Sequence, residues 1–489
     1  MPKAIIIGAG IGGIATAIRL RAKGYDVEVF EQQPYAGGKL TAFEQNGYRF
    51  DAGPSLFTMP WLVDELFQLA GKDPKDYFTY QQQEIACRYF WDDRTELTAW
   101  GNPERFATAV AETFHVPEQT VLRHLQWAAR TYNATGKIFL ERPLHKAGTW
   151  FSRDVMHALL RVHTYALNST MHRKHVAAVG DPKLVQLFDR FATYNGSDPY
   201  KAPAMLSMIP HLEHNTGTYF PEGGMHAISQ SLYRLSLELG VTYRFESPVD
   251  RIIVDGNRAT GIESGGEKIT SQLVVSNVDV WHTYHRLAPQ LPKPEKTLKQ
   301  ERSSSAIIFY WGMRQSFPEL DLHNIFFSNG YRAEFEAMFN DGTMYHDPTV
   351  YVHISSKANT VDAPDGCTNW FVLVNAPADV GQNWDELIAQ TRLRVLDKVG
   401  KLLGVALEPL IDVEQVLDPR TIASRTGSYA GSLYGSSSNN RWAAFLRHRN
   451  QHRQVRNLYF VGGSVHPGGG IPLCLNGARI TANLVPTVK

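Results

Sequence analysis

The chain has 489 residues, 43% of them hydrophobic, with 49 Lys and Arg against 48 Asp and Glu and a net charge of +1. That length allows roughly two to four domains around a substantial core. The even charge gives no electrostatic signal for nucleic acid. Three scattered cysteines, Cys87, Cys367 and Cys474, exclude a disulfide framework and a cysteine-rich metal site and fit a reducing compartment.

Residues 4–7 form a short apolar run suited to a buried parallel strand. Gly8, Gly10 and Gly13 follow in G-x-G-x-x-G spacing. The first permits a tight turn, the second close approach to a diphosphate, and the third packing of helix on strand. A helix over residues 11–23 then aims its free N–H groups at the phosphates. Residues 26–30 read as a second strand, and Glu31 at its tip stands 18 residues after Gly13, where an acid accepts hydrogen bonds from ribose. An acid rather than an arginine here argues against a 2′-phosphate. The alternative is a glycine-rich turn without a ligand, but strand, glycines, helix, strand and acid all come in order. Gly37 and Gly38 free further N–H groups, and Lys39 adds positive charge where a diphosphate would lie. Residues 48–56 read as a strand entering a turn that presents N–H groups and the Ser55 hydroxyl. The apolar run 4–18 is glycine-rich and, at 15 residues, too short to span a membrane. With the dinucleotide strand beginning at residue 3, no signal peptide is expected.

Residues 86–91 and 96–100 alternate around Asp92-Asp93-Arg94-Thr95 and predict a hairpin. Residues 103–215 read as mostly helical. Within them, residues 150–175 mix Trp150, Phe151, Met156, Leu159, Leu160, Tyr165 and Leu167 with Arg153, His157, Arg161, His163, His172, Arg173, Lys174 and His175. A basic and apolar helix suits an anionic membrane surface, the alternative being a cap with a solvated basic face. Its histidines lack metal-ligand spacing. Residues 303–313, 349–354 and 369–374 predict strands of a mixed sheet flooring a substrate cavity, 385–403 an amphipathic helix, and 435–440 a loop. The C-terminal segment Leu458-Tyr-Phe-Val-Gly462-Gly463 reads as a strand and turn, and His466-Pro-Gly-Gly-Gly-Ile-Pro472 runs into a helix with proline in its first turn. If both chain ends grip one ligand it is long, and FAD fits better than NAD.

The N-terminal block, the Phe50-Asp-Ala-Gly-Pro-Ser55 turn and the His466–Pro472 turn resemble bacterial-type carotenoid desaturases, the phytoene desaturase family, within the amine-oxidase-like flavoproteins. The resemblance covers essentially the whole chain. Phe220-Pro-Glu-Gly-Gly-Met225 and the helix and strand over 227–254 match the family's middle block. It implies an α/β fold, α+β overall: a Rossmann-like FAD-binding domain from 1–85, 220–300 and 445–489, a mixed-sheet substrate domain from 86–102 and 301–444, and a helical, membrane-contacting cap over 103–219. It places Val249 at the adenine, Asn277 along the cofactor, Ser55 and Leu56 in a cofactor-facing turn, and Gly462, Gly463, Ile471, Pro472 and Leu473 along the ribityl chain and flavin.

The implied activity is FAD-dependent desaturation of a carotenoid by hydride transfer to flavin N5 and proton loss. The overall pattern leans toward 3,4-desaturation of a 1-hydroxycarotenoid. The alternatives are a multi-step phytoene desaturase, a related isomerase or saturase, and an amine oxidase. The cation left by hydride loss is delocalised, so a weak base or water completes the reaction. Candidates for that base or for a polar end of the cavity are His466, Glu222, Asp51, Glu213, His211 and His214. Oxygen or a membrane quinone would reoxidise the flavin, and the enzyme would be cytoplasmic, peripherally associated with the inner face of the membrane.

Overall fold

The computed structural model describes residues 1–160, 162–166, 168–440 and 447–488. Arg161 and Leu167 of the basic and apolar stretch, and the side chains of Leu159, Leu160 and His163, lie outside the described residues.

Five parallel strands form one sheet, in the order Leu458–Phe460, Leu273–Ser276, Lys3–Ile7, Asp26–Phe30 and Thr242–Arg244. The N-terminal strand is apolar and buried from Ala4 to Ile7 because both faces are covered there. Ala4 and Ile6 join a core with helices Ile11–Ala22, His226–Glu238 and Ile471–Leu484. Ile5 and Ile7 point the other way, into a core shared with the three-stranded antiparallel sheet Val249–Asp255, Arg258–Ser264 and Glu267–Thr270. Strands from both ends and the middle of the chain thus meet side by side, and this places the two glycine turns together.

A mixed seven-stranded sheet stands beside it, in the order Ile411–Leu417, Ser305–Met313, Thr368–Ala376, Val350–His353, His323–Phe326, Ile85–Phe90 and Glu96–Trp100. Its three predicted inner strands and its hairpin are present, the hairpin turning at Arg94 with φ 66°. The strands His323–Phe326 and Ile411–Leu417 were not apparent from the sequence. Trp370, Val372 and Val374 pack with Trp384, Val395 and Val399 of helix Trp384–Leu403. The alternate residues Phe371, Leu373 and Asn375 line a cavity on the opposite face. Period-two alternation therefore divides one strand between core and binding surface.

Helices fill most of 103–215. The basic and apolar stretch is not one helix: it breaks into Arg153–Leu160, a short turn Val162–Thr164, and Met171–Val179. Nor are all its basic side chains on a free face. His175 is fully buried, and both His175 and His172 hydrogen-bond the carboxylate of Asp189, at 2.7 and 2.6 Å. Lys174 lies over the Trp127 ring at 4.3 Å. Among the described residues no helix is long and apolar enough to cross a membrane.

Candidate functional site

A cavity of about 1460 Å³ runs between the two sheets and the helical segment. A drug-sized ligand fills roughly 300–1,000 Å³, so this volume suits a cofactor and a substrate together. Gly8, Gly10, Glu31, Gly38, Lys39, Ser55, Leu56, Val249, Asn277, Gly462, Gly463, Ile471, Pro472 and Leu473 all line it.

Gly13 does not line it. It faces the carbonyl of Gly8, where a Cβ would collide, which is the helix-on-strand contact expected of the third glycine. Helix Ile11–Ala22 begins without a side-chain cap, so its first N–H groups remain open beside the glycine turn. Asn277 joins the two chain ends. Its carboxamide donates to the carbonyl of Gly8 at 3.4 Å, and a Cβ at either Gly10 or Gly462 would come within 2.9 Å of it. Gly462 also has φ 112°, which a residue with a side chain rarely adopts.

Glu31 is buried and accepts from the N–H groups of Ala9 at 2.7 Å and Gln33 at 2.9 Å. Burial raises its pKa, and these backbone donors oppose the rise. A carboxylate offers about four lone-pair sites, so Glu31 keeps acceptor capacity beyond these backbone donors. Lys39 is more confined than its sequence setting suggested. Its ammonium donates to the carbonyls of Leu433 at 2.9 Å and Ser432 at 3.3 Å, and burial lowers its pKa to about 8 against the pull of Asp279 and Cys474. The uncapped helix, the buried acid and the glycine cradle together fit a dinucleotide's diphosphate and ribose.

The six candidates for a base or polar end separate clearly. His466 lines the cavity; burial lowers its pKa to about 4, and its Nε2 donates to the Arg142 carbonyl at 2.8 Å. The neutral ring thus keeps Nδ1 as its acceptor. Glu213 also lines the cavity, paired with Arg190. The other four are outside it. Asp51 is buried, accepting from the N–H groups of Met225 and His226 at 2.8 and 3.0 Å and from Arg49. Glu222 is exposed and accepts from Thr79. His214 is buried against the Phe106 ring, and His211 tilts over Tyr132.

Several lining residues gave no signal in the sequence. Trp281 and Tyr429 stack with centroids 4.0 Å apart. Arg447 donates to the carbonyls of Tyr434 at 2.7 Å and Gly463 at 3.3 Å, and burial lowers its pKa to about 10. Arg190, Tyr194, His323 and Tyr351 form a polar patch on the wall. Each sits in an unremarkable local sequence, and only packing brings them together.

A parallel sheet with a glycine turn and a buried acid at its strand tip, facing a second sheet across a large cavity, has the layout of a dinucleotide-dependent oxidoreductase. Residues 11–486 match the family described as flavin containing amine oxidoreductase. The chain is 52% identical, over 100% of both sequences, to the 1-hydroxycarotenoid 3,4-desaturase of Flavobacterium sp. (strain P99-3). It is 30% identical to the 4,4'-diaponeurosporene oxygenase of Staphylococcus aureus (strain MW2), over 97% of this chain and 96% of that one. Among solved structures, wild-type putrescine oxidase bound to putrescine superposes with a TM-score of 0.65 at 15% identity, covering 99% of this chain and 98% of that one. The chain belongs to the flavin-containing amine oxidoreductases and, within them, to the carotenoid desaturases.

Proposed function

We propose that this enzyme binds FAD and introduces a C=C bond into a carotenoid, by 3,4-desaturation of a 1-hydroxycarotenoid. The single observation that carries the substrate is the full-length 52% identity to a desaturase of that specificity. The cavity supports it, being long and bordered by apolar side chains such as Phe139, Leu140, Leu144, Ile209, Phe371 and Leu373. In this reading 1–85, 220–300 and 445–489 hold the cofactor, 86–102 and 301–444 floor the substrate site, and 103–219 cap it. Glu31 holds the adenosine ribose, Gly8, Gly10, Gly38 and the open N-terminus of helix Ile11–Ala22 hold the diphosphate, and Val249 lies at the adenine. Lys39, Ser55, Leu56, Asn277, Gly462, Gly463 and Ile471–Leu473 line the rest of the cofactor.

Bound flavin supplies the acceptor for a hydrogen leaving with its electron pair; the neighbouring hydrogen leaves as a proton. The chain's task is to align the polyene and keep water out. The cation is spread along the conjugated chain, so its adjacent C–H is acidic and a strong base is unnecessary. Of the three first-named candidates, His466, Glu222 and Asp51, only His466 lines the cavity, and a neutral imidazole with a conjugate acid near pKa 4 suits a weak base.

The substrate resides in lipid, which favours peripheral attachment to the cytoplasmic face of the membrane. Trp150, Phe151 and Met156 are exposed at 47%, 86% and 56%, too much apolar area in one short segment for a solvated cap. Arg153 and His157 are exposed among them. Cavity-lining Leu144 packs with Val155 and Ala158 beneath this patch, so the lipid-facing surface and the cavity share one small core. Oxygen or a membrane quinone reoxidises the flavin.

The test is to purify the protein and record its absorption, then feed phytoene and a 1-hydroxycarotenoid separately. A yellow, FAD-containing protein that red-shifts only the hydroxycarotenoid is expected. A red shift with phytoene alone sinks the substrate assignment, and a folded protein without flavin sinks the whole scheme.

A further inference from the structure

One patch of the cavity wall is built from charge. Arg190, in the short helix Arg190–Asn195, donates through Nη2 to Glu213 Oε1 at 2.6 Å, through Nη1 to the Tyr194 hydroxyl at 3.0 Å, and through Nε to the Tyr89 hydroxyl at 2.7 Å. The Tyr194 hydroxyl donates to the other Glu213 oxygen. Burial works against the guanidinium's charge, but Glu213 and Tyr194 outweigh it and hold the arginine ionised. An ion pair sealed from water is a poor stabilising device compared with apolar packing of similar volume. Its presence on the wall of a cavity for a hydrocarbon calls for a polar ligand.

A second observation points to the same place. His323 lines the cavity from strand His323–Phe326 and is only 3% exposed. Its Nδ1 hydrogen-bonds the Tyr351 hydroxyl at 2.7 Å, and that hydroxyl meets Ser55 Oγ at 2.9 Å. Its Nε2 is buried with no hydrogen-bond partner among the described residues. Burial, reinforced by His353 and by the nearby Arg190 charge, holds the imidazole neutral. With Nδ1 engaged, Nε2 offers either one lone pair or one N–H, according to tautomer.

We infer that this patch, His323 Nε2 with the Arg190–Glu213–Tyr194 cluster beside it, seats a hydroxyl carried by the polyene and selects hydroxylated over unsubstituted chain ends. The inference rests on the carotenoid-desaturase reading and names the determinant of its specificity. A hydroxyl both donates and accepts, so it satisfies Nε2 in either tautomer. A hydrocarbon end would leave Nε2 unpaired and press apolar surface against a guanidinium. Sites built to hydrogen-bond a ligand reject the analogue lacking the group far more strongly than apolar sites reject an added one.

The test is equilibrium binding to the FAD-loaded enzyme with its flavin chemically reduced, so that the bound polyene is not consumed. A 1-hydroxycarotenoid and the otherwise identical polyene without the hydroxyl are titrated in detergent, each followed by its visible absorption shift. The wild type should bind the hydroxylated polyene at least about ten-fold more tightly. His323→Phe, a ring of similar size, should bring the ratio to within about two-fold by weakening the hydroxylated ligand alone. Glu213→Gln keeps an acceptor for Arg190 and should lower the ratio as well; it decides the matter on the same readout if the first variant loses its flavin. A merely structural role would weaken both ligands equally. That result, or a wild-type ratio near one, overturns the inference. An oxidised wild type that desaturates without preference refutes the hydroxyl seat alone, whereas one that neither binds nor converts either polyene refutes the desaturase reading with it.

Discussion

Asn277 shows how much one side chain does at the residue scale. It lies among glycines of both chain ends, so the cofactor turns can approach only because Gly10 and Gly462 carry no Cβ. Glu31 has a comparable double duty. It holds the N–H groups of Ala9 and Gln33 and so shapes the turn it serves. Glu31→Arg removes both acceptors and buries a cation in their place. Each unpaired buried N–H costs about 1–3 kcal/mol, so flavin should be lost on dialysis with affinity reduced by roughly a hundred-fold or more. Flavin fluorescence in the filtrate reports this, and retention equal to wild type would refute the ribose assignment. The placement of Gly8, Gly10 and Glu31 on the cavity wall was legible in the sequence because it follows from local backbone geometry at fixed spacing. The confinement of Lys39 was not, because the carbonyls that hold it lie almost four hundred residues away, at positions 432 and 433.

At the scale of elements, alternation carried most of the information. The strands at 305–313, 350–353 and 368–376 were visible as aromatic and β-branched runs. The strand His323–Phe326 was not, because four residues with a polar pair are too short a pattern to separate from a loop. The stretch 150–175 reads as one amphipathic unit, but its histidines divide between surface and core: His157 is exposed, whereas His175 is sealed on Asp189. Its most exposed apolar side chains are Trp150, Phe151 and Met156. The double variant Phe151→Ser, Met156→Ser should therefore lower association with anionic liposomes by roughly ten-fold or more, since burying each such side chain is worth about 1.5–3 kcal/mol. Flavin content and melting temperature should hold, as both side chains are exposed. Unchanged sedimentation with liposomes would remove this face as the membrane contact.

The whole molecule buries an unusual set of neutral imidazoles. Burial lowers the pKa of His214, His353 and His466 to about 4 and of His448 to about 3, and holds His124 and His323 well below the ordinary range. In the unfolded chain each would titrate near about 6.5. Below that pH the unfolded state binds more protons than the folded state, so stability is fully present above about 6.5 and falls as pH drops toward about 4. The apparent melting temperature should be flat from pH 7 to 8 and decline steeply from pH 6.5 to 5. A flat profile across the lower range would show that these rings are solvated. The sequence by itself determined the strand, glycine turn and helix at the N-terminus, the two sheets in outline and the family, because glycine spacing, strand alternation and a proline-stiffened turn are short-range signals with short-range causes. Tertiary structure decided which polar side chains face the cavity. Arg190 and Glu213 lie on separate short helices, and His323 and Tyr351 meet as diagonal neighbours on two paired strands. Asp51 and Glu222, carboxylates like Glu213, serve instead at a helix start and on the surface. Each is a carboxylate, and only packing separates a group on the cavity wall from a structural one.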